Sequence, residues 1–117
     1  MEAKCGVFVH YLGASPRIKV LEHFLINDNL DVSKSYVAKE AEVSRATLEP
    51  IWDELEEEGI IKKTRSVGRA ELYNLDKSNR TAQILQGFLD ALAWQYADEE
   101  EARLKQKITA KKQKRKS

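Results

Sequence analysis

Ser33 and Ser44 each stand immediately ahead of an apolar run with helical spacing, and only the dipeptide Glu42-Val43 separates the two runs. A serine hydroxyl at such a position accepts a backbone N–H that the first helical turn leaves unpaired. The first run holds Val37, Ala38 and Ala41, and the second, Arg45 to Glu58, holds Leu48, Ile51, Trp52 and Leu55 before the stop signal of Gly59. A helix as short as the first is not stable alone, so it must cross its successor closely. Ala38 is small enough for that crossing, Val43 plugs the turn, and Leu48 and Ile51 pin the second helix to a core. A tight turn between helices set at a large angle leaves the front of the second one projecting from the surface.

The flanking segments complete an order of elements. Ser15-Pro16 opens an earlier helix, with Ile18, Leu21, Phe24 and Leu25 on its inner face and Asn27-Asp28-Asn29 at its end. Before it, Val7-Phe8 and Tyr11-Leu12 read as a short helix ending at Gly13, and Leu30-Asp31-Val32 as a short strand. Beyond Gly59, Ile60 to Arg65 and Ala70 to Leu75 are strand-like, joined by Ser66-Val67-Gly68-Arg69 as a hairpin. Asn79 caps a last helix that continues past Lys105, supported by Glu99 with Arg103 and Glu101 with Lys105 one turn apart. The predicted class is mainly α with a small β hairpin: a winged helix-turn-helix domain over residues 1–78, a C-terminal dimerisation helix over 79–109, and a basic disordered tail over 110–117, too polar to pack.

The net charge of +1 conceals an asymmetry. Residues 103–117 contribute +8 with no acid, so residues 1–102 carry −7. Net charge therefore announces no nucleic-acid partner; only its distribution can. No apolar run approaches the roughly 20 residues of a membrane span. Residues 7–12 are too short an apolar core for a signal peptide. The single cysteine, Cys5, fits a reducing compartment, and the expected location is the cytoplasm, in association with the nucleoid.

The chain resembles the small winged helix-turn-helix regulators common in archaea, broadly of the MarR/ArsR type. The resemblance runs through Leu12-Gly13, Ser15-Pro16-Arg17, Val37-Ala38-Lys39-Glu40-Ala41, Val43-Ser44-Arg45-Ala46-Thr47-Leu48, Leu55-Glu56-Glu57-Glu58-Gly59-Ile60-Ile61, and Val67-Gly68-Arg69-Ala70 with Leu72-Tyr73-Asn74-Leu75. It implies a DNA-binding module whose second helix, 44–58, enters a major groove beside a basic wing, 60–75. Two departures stand out. Glu42 occupies the turn position usually held by glycine and must take a left-handed backbone conformation. Glu49 and Pro50 lie on the exposed front of the recognition helix: Glu49 repels phosphate yet can accept from cytosine N4, and Pro50 removes a backbone donor and is expected to kink the helix.

The expected DNA contacts are Arg45, Ala46, Thr47, Glu49 and Pro50 on the recognition helix, with Ser33, Lys34, Ser35, Tyr36 and Ser44 at the two helix starts. Lys62, Lys63, Arg65, Ser66 and Arg69 on the wing are expected to grip the backbone or the minor groove. Ile84, Leu85, Phe88, Leu89, Leu92 and Tyr96 form an apolar stripe on the last helix, and Gly87, Ala91 and Trp94 a second apolar side. A helix apolar on two sides needs two partners, so a homodimer is expected, with the stripe as its interface.

Cys5, His10 and His23 lack any tight metal-ligand spacing, and Asp98 to Glu101 reads as a solvated helix face, so no metal or cofactor is expected. No nucleophile–base pair or phosphate-cradling loop is present, so no enzyme is expected. The sequence names no effector. The reading is a dimeric regulator that binds double-stranded DNA. The alternatives are an architectural or partition-type binder with little sequence preference, and a winged helix that meets a protein.

Overall fold

The structure, a computed structural model, describes the backbone of residues 6–116 and the side chains of residues 6–107. Its elements are α1 (Val7–Leu12), α2 (Pro16–Ile26), α3 (Lys34–Glu40), α4 (Arg45–Glu57), β1 (Ile61–Val67), β2 (Ala70–Leu75) and α5 (Arg80–Lys116). This is the mainly helical architecture with an antiparallel hairpin and a long last helix expected from the sequence. Cys5 and Ser117 lie outside the described residues.

The serines act as caps. Ser15 accepts from the Ile18 amide, Ser33 from Tyr36 and Ser44 from Thr47. Between α3 and α4, Glu42 takes φ 56°, the left-handed conformation required where a glycine is common. The Val43 amide then donates to the Ala38 carbonyl at 2.9 Å and closes the turn. α4 runs unbroken through Pro50. The expected strand at 30–32 reduces to one bridging pair, in which Val32 and Tyr73 exchange both backbone hydrogen bonds at 2.8 Å.

β1 and β2 pair with Val67 opposite Ala70, leaving Gly68-Arg69 as a two-residue loop. Gly68 at φ 61° supplies the positive φ that such a loop needs at its first position. A register shift at Thr64 bulges β1, and the Thr64 hydroxyl donates to the Leu72 carbonyl at 3.2 Å. Below the hairpin, Trp52 is fully buried between Phe24 and Tyr73, with edge-on ring contacts at 5.2 and 5.1 Å. Leu25, Leu48, Leu55 and Ile61 fill the same core.

α5 is tied to this body at its start. The Asn79 Oδ1 accepts the Ala82 amide at 2.9 Å while its Nδ2 donates to the Glu58 carbonyl at 3.1 Å. Gly59, at φ 76°, leaves room for that amide; a Cβ there would sit 3.0 Å from Asn79 Nδ2. Ala82, Leu89 and Ala93 enter the common core, so the first turns of α5 share it with the elements before residue 79.

The apolar stripe of α5 differs from expectation. Leu89 is fully buried in its own domain, and Leu85, Leu92 and Tyr96 pack against the same core. Leu89 is therefore taken up by its own domain, while Leu85, Leu92 and Tyr96 are half-buried there. Ile84 and Phe88 remain exposed, Ile84 on the same side as Gly87, Ala91 and Trp94. The physical reason is angular: α1 and α2 take one side of the helix, residues 84, 87, 91 and 94 fall on the other at 3.6 residues per turn, and Phe88 sits at the edge, its ring 5.7 Å from that of Phe8 on α1. The backbone also stays helical to Lys116, beyond the break expected at residue 110. That segment holds no glycine or proline and is rich in strong helix formers.

Candidate nucleic-acid interface

The helix starts and the wing meet in a cleft of about 420 Å³, lined by Ser33, Lys34, Ser35, Arg45, Arg69, Ala70, Glu71 and Tyr73. The turn at Glu42 brings the first turns of α3 and α4 together, and the two-residue loop carries Arg69 over them. Five of the expected DNA contacts, Ser33, Lys34, Ser35, Arg45 and Arg69, therefore line one concave surface. Ala46, Thr47 and Pro50 are exposed on α4, while Lys62, Lys63, Arg65 and Ser66 are exposed along β1. Tyr36 is the outlier: it is exposed, lies against His23 at 5.7 Å, and lines clefts beside α2 and Leu30 instead.

Several of the hydroxyls are already engaged. Ser44 accepts from Thr47 N and donates to the Thr47 hydroxyl at 2.9 Å. Ser33 caps α3, and Ser35 accepts from Arg45 at 2.9 Å. Their direct role is to fix α3, α4 and the Arg45 guanidinium.

Most of the cations are engaged as well. Glu49 sits between two of them: Lys34 Nζ donates to one carboxylate oxygen at 2.9 Å and Arg45 to the other at 3.1 Å. These bonds hold the Glu49 carboxyl below the ordinary carboxylate range, and the same bond raises the Lys34 ammonium above its usual value. Lys34 also lies 6.0 Å from the Trp52 ring centroid. On the wing, Arg65 pairs with Asp31 at 3.0 Å, Lys63 with Glu71 at 3.3 Å and Lys62 with Asp76 at 3.6 Å. Asp76 is held below its usual range by the Ser78 hydroxyl and amide, with Lys62 adding to the effect. Arg69, at the tip of the hairpin, has no ion pair among the described residues.

Sequence reading named the cations and missed their partners Asp31, Glu71 and Asp76. The signal available was the −7 carried by residues 1–102, which leaves few cations without an acid nearby. A buried acid was missed too: Glu22, 7% exposed, accepts from the Gly6 and Phe8 amides at 2.8 and 2.7 Å. It does not line the cleft and serves the start of α1. Among the described residues no group of three His, Cys, Asp or Glu is placed to hold a metal ion, and no helix is long and apolar enough to cross a membrane.

Neither a protein-family model nor a curated protein sequence matches the chain. Solved structures do. MepR, a transcription regulator of the Staphylococcus aureus multidrug efflux pump MepA, superposes with a TM-score of 0.59 at 15% identity over 92% of this chain and 86% of its own. A MarR-family transcriptional regulator from Silicibacter pomeroyi gives 0.54 at 15% identity over 92% and 79%. A possible transcriptional regulator from Methanosarcina mazei Go1 gives 0.51 at 15% identity over 86% and 84%. Identities this low speak to architecture, and they agree on it: the chain has the winged-helix fold seen in MarR-family transcriptional regulators.

Proposed function

We propose that the chain is a transcriptional regulator that binds double-stranded DNA as a homodimer, with α4 directed at a major groove and the wing at the adjoining backbone. The observation that carries this reading is the cleft between the starts of α3 and α4 and the hairpin. It gathers Lys34, Arg45 and Arg69 on one concave surface, beside the exposed Ala46 and Thr47 of α4. In this fold that surface faces the duplex. The regulators that share the fold are described as acting in transcription, which supports the same reading.

The homodimer rests on α5. Ile84 is 62%, Phe88 45% and Trp94 75% exposed, an apolar side that a second copy could cover. Gly87 and Ala91 beside them allow close backbone approach. A two-fold pair of subunits would present two α4 helices to half-sites about one helical turn apart. A cytoplasmic location with nucleoid association follows from the same reading.

A second reading, a DNA binder with little sequence preference, is favoured by the eight basic residues within 103–117. They form a cationic end to α5 suited to phosphate attraction. Mobility shifts with competitor DNA separate the two. One retained site against excess random duplex supports the regulator, and ladders without preference support the second reading. No shift at low salt removes both and favours a protein partner.

A further inference from the structure

Glu49 is an acid placed where a DNA-binding surface most needs positive charge. Its two oxygens take the Lys34 ammonium and the Arg45 guanidinium at 2.9 and 3.1 Å. These donors come from the first residues of α3 and α4, at the mouth of the cleft also lined by Arg69. A carboxylate bridging an ammonium and a guanidinium occupies the place a phosphate oxygen would take between the same two donors. The Glu49 side chain is 42% and the Arg45 side chain 52% exposed, so the arrangement is open to exchange with an arriving duplex.

From this geometry we infer that Glu49 is a selectivity gate: an internal stand-in for DNA phosphate that suppresses binding to non-cognate duplex and is released only where the sequence places a base amino group against its carboxylate. The inference rests on the DNA-binding reading above. When a backbone phosphate displaces Glu49, the carboxylate stays beside it as a like charge, and that repulsion weakens every sequence alike. At a site where a cytosine N4 or adenine N6 amino group faces α4, the carboxylate gains a donor of its own. Lys34 and Arg45 then pass to phosphate without leaving Glu49 unpaired. Selectivity arises because every base pair carries one such amino group, on one base only, and non-cognate DNA does not bring it against the Glu49 carboxylate. Pro50 follows directly and, having no amide hydrogen, leaves the Ala46 carbonyl without its usual helical partner on the same exposed front; it offers a second acceptor for amino groups.

The test uses the full chain, with a random-sequence duplex and the duplex recovered from it by selection with the wild type. Glu49→Gln keeps the shape and removes the charge, and Glu57→Gln on the same helix makes the same charge change away from the pair. Thermal melting first establishes that both variants fold. The gate requires Glu49→Gln to bind random duplex about threefold to tenfold more tightly than the wild type. The slope of log affinity against log salt should steepen by about one unit. The ratio of selected to random affinity should narrow by about tenfold. Glu57→Gln should show little of this. Equal random-duplex affinities for wild type and Glu49→Gln, or equal gains in the two variants, would overturn the gate while leaving DNA binding in place. Failure of wild type and variant alike to bind any duplex at low salt would instead overturn the DNA-binding reading, and the gate with it.

Discussion

The carboxylate of Glu22 on α2 accepts the Phe8 amide of α1 at 2.7 Å, across fourteen residues of sequence and inside the core. Its other oxygen takes the Gly6 amide. A six-residue helix has little stability of its own, and here its exposed donors are satisfied by a neighbouring helix rather than by a local cap. Hydrogen bonds to a charged group contribute about 1.5–3 kcal/mol each. Glu22→Ala should therefore lower the unfolding free energy by about 2–4 kcal/mol, read by urea denaturation. A loss below about 0.5 kcal/mol, the size of an ordinary surface change, would show that α1 is held by apolar packing alone.

The two sides of α5 should respond oppositely to charge. Leu89 is fully buried in its own domain, so Leu89→Glu places an unpaired carboxylate in the core and should remove most of the roughly 5–15 kcal/mol that such a domain has. Ile84→Glu and Trp94→Glu alter positions 62% and 75% exposed. They should keep the circular dichroism of the wild type while lowering the sedimenting mass from dimer to monomer. A wild type that sediments as a monomer at high micromolar concentration would remove the dimer.

The wing arginines should contribute unequally to DNA affinity. Arg69 stands at the hairpin tip without an ion pair among the described residues, whereas Arg65 is held by Asp31 at 3.0 Å. Arg69→Ala should lower the salt slope of binding by about 0.9. Arg65→Ala should lower it less, because Arg65 exchanges one anion for another. Equal slopes for Arg69→Ala and wild type would place the wing tip off the backbone.

Stability should fall on mild acidification through His23. Burial lowers its pKa, only partly opposed by Glu40. The folded chain then binds this proton less readily than the unfolded chain, whose pKa lies near 6.5. Stability should be greatest above about 6.5, decline as pH falls from there through the lower folded value, and level off beneath it. His23→Gln should flatten that part of the curve, with the difference between the two proteins isolating the histidine from the carboxylates. Parallel curves for both would assign the decline elsewhere.

Much of the backbone was legible because its causes are local. A serine before an apolar run is a cap wherever it occurs, and Glu42 had to adopt a positive φ because the turn between Ala41 and Val43 leaves no alternative. The interface chemistry was less legible because its partners are distant. Lys34 meets Glu49 only once the turn has folded, and Arg65 meets Asp31 only once the hairpin packs beside the Val32–Tyr73 bridge. On α5, periodicity showed that the helix is apolar on two sides but not which side its own domain would claim. Leu89 and Phe88 are adjacent in sequence and lie in different environments for that reason. Glu22 gave no signal: one acid in a helix reads as a surface position until α1 arrives over it.

One amide side chain, Asn79, holds the carbonyl of Glu58, the cap of α4, and the Ala82 amide in the first turn of α5 together. The end of one helix and the beginning of the other therefore cannot fray separately. Backbone amides in the closing turn of α4 and the opening turn of α5 belong to one opening unit and should exchange their hydrogens with solvent at a common rate. A clasp of this kind ties the direction of the long helix to that of α4, the helix proposed to meet DNA. Whatever turns α5 about its base reorients α4 by the same motion.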